Sequence, residues 1–173
     1  MIDHDVIYRS EAARYDRLVE REDCEGNLLS AIRTVAPDLR ARDAADIGAG
    51  TGRLTALLEP HVLTVRATDA SEEMLRFAAD RLRAQGAANW TVAAGTNDRL
   101  PLADCSVDLL TAGWTICYSA SSSVVGWQDN LAAIMAEIDR VLSPGGAAIV
   151  FENFGTGTAE PNPPQAGRMR RSR

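Results

Sequence analysis

Three glycines spaced two apart follow an apolar run in Asp46-Ile47-Gly48-Ala49-Gly50-Thr51-Gly52. Only glycine lets a chain turn this tightly while a ligand comes up against its backbone. A nicotinamide-type turn wants its third glycine one position later, where this chain has Arg53, so the spacing is GxGxG and not GxGxxG. Asp69 stands at the end of the next apolar run. A carboxylate there, in a doubly wound sheet, can accept hydrogen bonds from both hydroxyls of a ribose. Taken alone, the glycines make a bare tight turn and Asp69 an ordinary helix cap. Their occurrence together and in this order predicts a ligand that contains a nucleoside.

Such a turn works only if strands and helices hold it in place, and the surrounding pattern supplies both. Short apolar runs ending in turn residues occur at Ala44 to Ile47, Val62 to Thr68, Trp90 to Ala94, Val107 to Ala112 and Ala147 to Phe151. These predict five strands. Between them, three- and four-residue apolar periodicity predicts helices at about Gly52 to Leu58, Ser71 to Arg83 and Gln128 to Leu142. Two more amphipathic helices are expected upstream, over Val6 to Val19 and from Leu28 to Val35 ahead of Pro37. Alternating strands and helices with short connections imply an α/β, Rossmann-like, doubly wound sheet, mostly parallel and flanked by helices.

Composition narrows the function. With 173 residues and 46% hydrophobic content the chain can bury one core. Its formal net charge of −6 argues against nucleic acid as a partner, because phosphate-backbone binding relies on Lys and Arg. No apolar run reaches membrane-spanning length and Met1 to Asp5 lack a basic-then-apolar leader, so no membrane partner is expected and a cytoplasmic location is. Cys24, Cys105 and Cys117 are widely spaced and only His4 and His61 accompany them, which gives no metal-ligand pattern. After Asn153 the apolar periodicity stops and a Gly-, Pro- and Arg-rich stretch follows. The expected division is a helical segment over 1–40, the ligand-binding domain over 41–153 and a polar, disordered tail over 154–173.

At this point the chain resembles the class I S-adenosylmethionine (SAM)-dependent methyltransferases, in the small-molecule, type 11-like group with a helical N-terminal lid. Asp46 to Gly52 resembles that family's first motif and Asp69 to Met74 its second. Gly95 to Pro101 with Asp104 to Leu110 resembles the third, and Glu137 to Gly146 the helix and turn before the fifth strand. The resemblance implies SAM as cofactor, with Gly48, Ala49 and Gly50 along its methionine portion and Asp69 on its ribose. It further implies that Ala70 and Met74 pack near the adenine and that Thr96, Asn97 and Asp98 stand where the family reads the adenine edge. Ala112, Gly113 and Trp114 would face the methionine amine and the transferring methyl group. Tyr15 resembles the lid tyrosine; periodicity alone equally allows a buried aromatic on a helix face. The family normally continues past the fifth strand with a helix and a closing strand pair, and this sequence has the polar tail there instead.

The function implied is methyl transfer from SAM to a small-molecule acceptor. A sulfonium methyl is already activated, so positioning an acceptor in line and excluding water does most of the work. For a hydroxyl acceptor a general base would help, and Tyr118, His4, Asp5 and Cys117 are the candidates. Alternatives are a truncated or non-catalytic SAM-binding module and, outside the family, an NAD-dependent oxidoreductase. A fifth strand left without its cover would have an open edge, a route to a homodimer.

Overall fold

The computed structural model describes residues 23, 25–40, 42–121 and 124–152. The predicted helix over Val6 to Val19 and the tail over 154–173 lie outside them. In chain order the described elements are α1 (Asn27–Val35), β1 (Asp43–Ile47), α2 (Arg53–Leu58) with a 3-10 turn (Glu59–His61), β2 (Thr64–Asp69), α3 (Glu72–Ala84), β3 (Trp90–Ala94), β4 (Val107–Gly113), α4 (Cys117–Ala120), α5 (Trp127–Val141) and β5 (Leu142–Phe151). The strands form one sheet in the order β3-β2-β1-β4-β5, and every pairing is parallel. The fold is Rossmann-like, as the strand and helix alternation implied.

Burial explains the strands. Ala44 to Ile47 are completely or almost completely buried in the central β1, because helices cover both of its faces. On one face Ile32 of α1 and Leu58 of α2 pack with Ala44, Val65 and Leu109. On the other, Ile134, Ile138 and Val141 of α5 pack with Ala45, Ile47, Leu110 and Ala112. The helix ends follow capping chemistry. Asp23 accepts from the amides of Asn27 (2.7 Å) and Leu28 (3.3 Å) at the start of α1. Ser71 caps α3 by accepting from Met74 N at 3.3 Å. Glu72 and Glu73 open α3 and Arg81 and Arg83 close it, signs that suit the helix dipole.

Two boundaries differ from expectation by more than one residue. β2 begins at Thr64 and not Val62, since Pro60 and the 3-10 turn still occupy the chain before it. β5 begins five residues before Ala147. Leu142 already pairs with Val107, and Ala147 pairs with Leu109, so Ser143-Pro144-Gly145-Gly146 forms an irregularity inside the strand. Pro144 has no amide to give a ladder, and Gly145 takes φ +82.

Candidate active site

The chain leaves β1 for β2 and β3 on one side, then returns to β4 on the other side of β1. Strand order therefore reverses between β1 and β4, where an open α/β sheet has a crevice beyond its carboxyl ends. The glycine turn follows β1, Asp69 ends β2, and Gly113 ends β4 with Trp114 directly after it, so all three gather at this edge.

Gly48 and Gly50 both have positive φ, +59 and +54, but for different reasons. A Cβ on Gly48 would lie 1.9 Å from Thr115 Oγ1, so the turn is packed tightly against the chain after β4; a Cβ on Gly50 would meet nothing within 4 Å. Gly50 is thus the open part of the cradle. Its amide donates to Asp69 Oδ2 at 2.8 Å, and the Ser71 amide donates to Asp69 Oδ1 at 2.8 Å. Two backbone donors fix the carboxylate and leave each oxygen further acceptor capacity. Ala49 N donates to Thr68 O (2.9 Å), Gly52 packs on Ala78 of α3, and Ala70 is exposed beside Asp69.

Asp46 has a different task from a ligand-facing carboxylate. It is 1% exposed, and the hydroxyls of Thr55 (2.7 Å) and Thr111 (3.1 Å) donate to it, joining β1 to α2 and β4. Burial pushes its carboxyl up to about 6, against the opposing pull of those hydroxyls. Met74, expected near the adenine, is fully buried on the inward side of α3. The spacing of Met74, Leu75, Ala78 and Leu82 turns that side of α3 to the interior.

Thr96 and Asp98 are exposed in the turn after β3, where Thr96 bridges to Arg99. Asn97 turns inward instead: its side-chain amide donates to Thr115 Oγ1 at 3.0 Å. Asn97, Thr115 and Gly48 therefore tie the loops after β3, β4 and β1 together. Ala112 is buried and Gly113 packs against Leu54, where a Cβ would come within 2.7 Å of Leu54 Cδ1. Trp114 has φ +53, rare for a bulky residue. Tyr15, His4 and Asp5 lie outside the described residues.

Of the candidate bases, Cys117 is ill suited. Partial desolvation, with Glu152 adding to the rise, pushes its thiol up to about 12 even though the residue as a whole is exposed, so it stays protonated at neutral pH. Tyr118 is 48% exposed. Sequence reasoning missed Thr115, Glu152, whose carboxylate accepts from Cys117 N at 3.1 Å, and Arg53, whose guanidinium lies 4.8 Å from the Trp114 ring centroid. Arg53 had a signal, its place directly after the third glycine, but Thr115 and Glu152 acquire partners only through the strand order. A cleft of about 570 Å³ between α3 and β3, lined by Glu72, Arg76, Val92 and Ala94 among others, opens beside the edge strand and away from the β1/β4 crevice. Among the described residues no group of His, Cys, Asp and Glu is placed to hold a metal, and no helix is long and apolar enough to cross a membrane.

A family model described as a methyltransferase domain matches residues 45–150. The chain belongs to that methyltransferase domain family. The match sets aside the oxidoreductase reading that Arg53 already disfavoured. This methyltransferase domain is 36% identical over 157 residues to a malonyl-(acyl-carrier protein) O-methyltransferase of Methylococcus capsulatus, covering 88% of this chain and 52% of that protein. It is 31% identical over 149 residues to a ubiquinone/menaquinone biosynthesis C-methyltransferase of Rubrivivax gelatinosus, covering 84% and 54%. The chain spans about half the length of the curated relatives it matches. Among solved structures it superposes with a TM-score of 0.58 on a SAM-dependent methyltransferase of Aquifex aeolicus, at 21% identity over 72% of this chain and 64% of that one. It also superposes on Haemonchus contortus phosphoethanolamine N-methyltransferase 1, solved with phosphoethanolamine and S-adenosylhomocysteine, at 25% identity, TM-score 0.61, covering 84% and 27%.

Proposed function

We propose that this domain binds SAM along Gly48 to Gly50 and Asp69 and transfers its methyl group to a small-molecule acceptor. The observation that carries the reading is the pairing of an open Gly50 with an Asp69 carboxylate held by two backbone amides, on the β2 side of the sheet's switch point. The residues fit the cofactor: a bare glycine turn admits the methionine portion, and a preset carboxylate accepts from two ribose hydroxyls. On this reading Ala49, Ala70 and Asp98 lie along the cofactor, and Gly113 and Trp114 close its site on the β4 side. When bound, SAM supplies an electrophilic methyl on a sulfonium. The chain's part is then to orient the acceptor and keep water out. The relatives' names divide among oxygen, carbon and nitrogen methylation, so the family leaves the methylated atom open.

Calorimetric titration with S-adenosylhomocysteine tests the reading. Micromolar binding, about −8 kcal/mol, is expected, and Asp69→Ala should weaken it by about 1 to 3 kcal/mol. No binding to the wild-type chain rejects the function; unchanged affinity in Asp69→Ala rejects the role of that residue. Binding without transfer to any acceptor favours a cofactor-binding module. The reading also includes a cytoplasmic location and pairing of two copies along the outer edge of β5, where Ala148 and Val150 are exposed. A monomeric light-scattering mass rejects the pairing.

A further inference from the structure

We infer that Thr115 is a positioning residue for the cofactor: its hydrogen bond with Asn97 fixes the loop after β4 against the loop after β3, so that a ligand spanning the two meets both at a set distance. The inference rests on the methyltransferase reading above. Contacts between the loops form a closed circle at the carboxyl edge of the sheet. Ala49 N donates to Thr68 O at 2.9 Å and Gly50 N to Asp69 Oδ2 at 2.8 Å, so the glycine turn is tied to the end of β2. Gly95 N donates to Asp69 O at 3.0 Å, which ties the loop after β3 to the same strand end. Asn97 Nδ2 then donates to Thr115 Oγ1 at 3.0 Å, and Thr115 occupies the space where a side chain on Gly48 would stand, which returns the circle to the glycine turn.

These links differ in kind. The bonds from Ala49 N and Gly95 N continue the β1/β2 and β2/β3 ladders just past the strand ends, so the sheet itself supplies them. The link that closes the circle joins two side chains 18 positions apart, and their strands are not neighbours: β2 and β1 lie between β3 and β4. No ladder sets the distance between these two loops, and the Asn97–Thr115 bond does. The loop after β3 keeps its own turn without that bond, through Arg99 N donating to Thr96 O at 3.0 Å. Thr115 depends on it more. It directly follows Trp114, whose φ of +53 is costly for a bulky residue and persists only where the surroundings hold it. Trp114 N donating to Phe151 O at 2.7 Å anchors that turn on the β5 side, and the Asn97 bond anchors the next residue on the β3 side. A nucleoside on Asp69 and the loop after β3 touches one side of this tie, whereas SAM reaches both. Loops already set at the right separation spare a spanning ligand the cost of ordering them, and a fragment that reaches only one gains nothing.

The test is calorimetric titration of the full chain with S-adenosylhomocysteine and with adenosine, which lacks the amino-acid portion. Thr115→Val keeps the shape of the side chain and removes the acceptor. It should weaken S-adenosylhomocysteine about fivefold, the worth of one neutral hydrogen bond, while adenosine affinity stays within about twofold and reports a folded variant. Thr115→Ser, which keeps the hydroxyl, should hold S-adenosylhomocysteine affinity within about twofold of the wild type. Asn97→Ala should lose as much S-adenosylhomocysteine affinity as Thr115→Val, and the two changes together no more than either alone, because both cut the same bond. Unchanged S-adenosylhomocysteine affinity in Thr115→Val overturns the proposal, as does a Thr115→Ser chain as weak as Thr115→Val. Equal losses for S-adenosylhomocysteine and adenosine in Thr115→Val also overturn it, by giving the pair a general structural role. Additive losses for Thr115→Val and Asn97→Ala would do the same, by giving Asn97 a separate task on the ligand. Failure of the wild-type chain to bind S-adenosylhomocysteine rejects the function reading first, and the role of the tie falls with it.

Discussion

On the β2 side of the switch point the site is assembled from neighbours in sequence: Gly50 donates to Asp69, 19 residues on, and Ser71 donates to Asp69 two residues back. On the β4/β5 side the contacts join distant segments. Thr111 reaches Asp46 across 65 positions, Leu100 N donates to Glu137 across 37, and Cys117 N to Glu152 across 35. The first half repeats a short motif that any cofactor of one kind can use. The second depends on which strands lie beside which, and so can vary its side chains while the sheet stays the same. Gly48 lies at the seam, with its turn on one half and Thr115 of the other against it.

That seam predicts the largest effect. Gly48→Ala adds a methyl overlapping Thr115 at φ +59, combining left-handed backbone strain with overpacking for a loss of roughly 2 to 5 kcal/mol. Gly50→Ala carries the strain alone, φ +54 with open space around it, and should cost roughly 1 to 2 kcal/mol. Urea denaturation of both variants measures the difference. Thr115→Gly in the Gly48→Ala chain should recover part of the loss. Equal costs for the two alanines would mean that the halves are not packed together at this point.

The same division governs what could be read from the sequence. All five strands were legible, because each is a short apolar run with turn residues behind it; the glycine turn and Asp69 were read as two parts of one ligand site, and the hydrogen bond from Gly50 N that joins them came with the structure. Position along the chain does not give strand order, so Thr115 reached no significance until β4 was seen beside β1. Met74 shows the two levels side by side: its motif suggested the adenine, and its place on the inward face of α3 buries it. The start of β5 was missed because Ser143 to Gly146 looks like a turn, and only the pairing of Leu142 with Val107 shows the strand continuing through it.

A second effect separates the buried seam from the ligand-facing carboxylate. The Asp46 carboxyl is raised from 3.8 to about 6, chiefly by burial, with Asp69 adding to the rise. A folded-state pKa above the unfolded one means that the protonated form favours folding. Its contribution is complete below about pH 4 and is lost as pH rises toward 6 and beyond, by on the order of 2 to 3 kcal/mol. Asp46→Asn should be less stable overall, having lost an acceptor for Thr55 or Thr111, yet its urea midpoint should lack the decline between pH 4 and 6. A decline equal to that of the wild type would assign the titration to another group.

The smallest effect belongs to the far end of the β4/β5 half, where α5 holds the loop before β4. Glu137 accepts from Leu100 N at 2.8 Å and from Arg140 Nε at 2.8 Å and Nη2 at 2.7 Å. Arg140 in turn donates to the carbonyls of Leu100 and Leu102 and to Asp104. The Arg140 hydrogen bonds hold the Glu137 carboxyl down from 4.5 to about 2. Here the folded-state value is depressed, so the stabilisation is present above about pH 4.5 and disappears as pH falls toward 2. Its size is reduced because the Arg140 side chain remains 31% exposed to screening water. Glu137→Gln can still accept from Leu100 N but cannot carry the charge, so its acid-side loss of stability should be shallower than the wild type's. Because the window lies below that of Asp46, the two titrations separate in one pH series. An unchanged acid limb in Glu137→Gln would show that the loop is held by its carbonyl bonds to Arg140 and not by the ion pair, leaving the seam at Gly48 and Asp46 as the part of this half where charge and packing both matter.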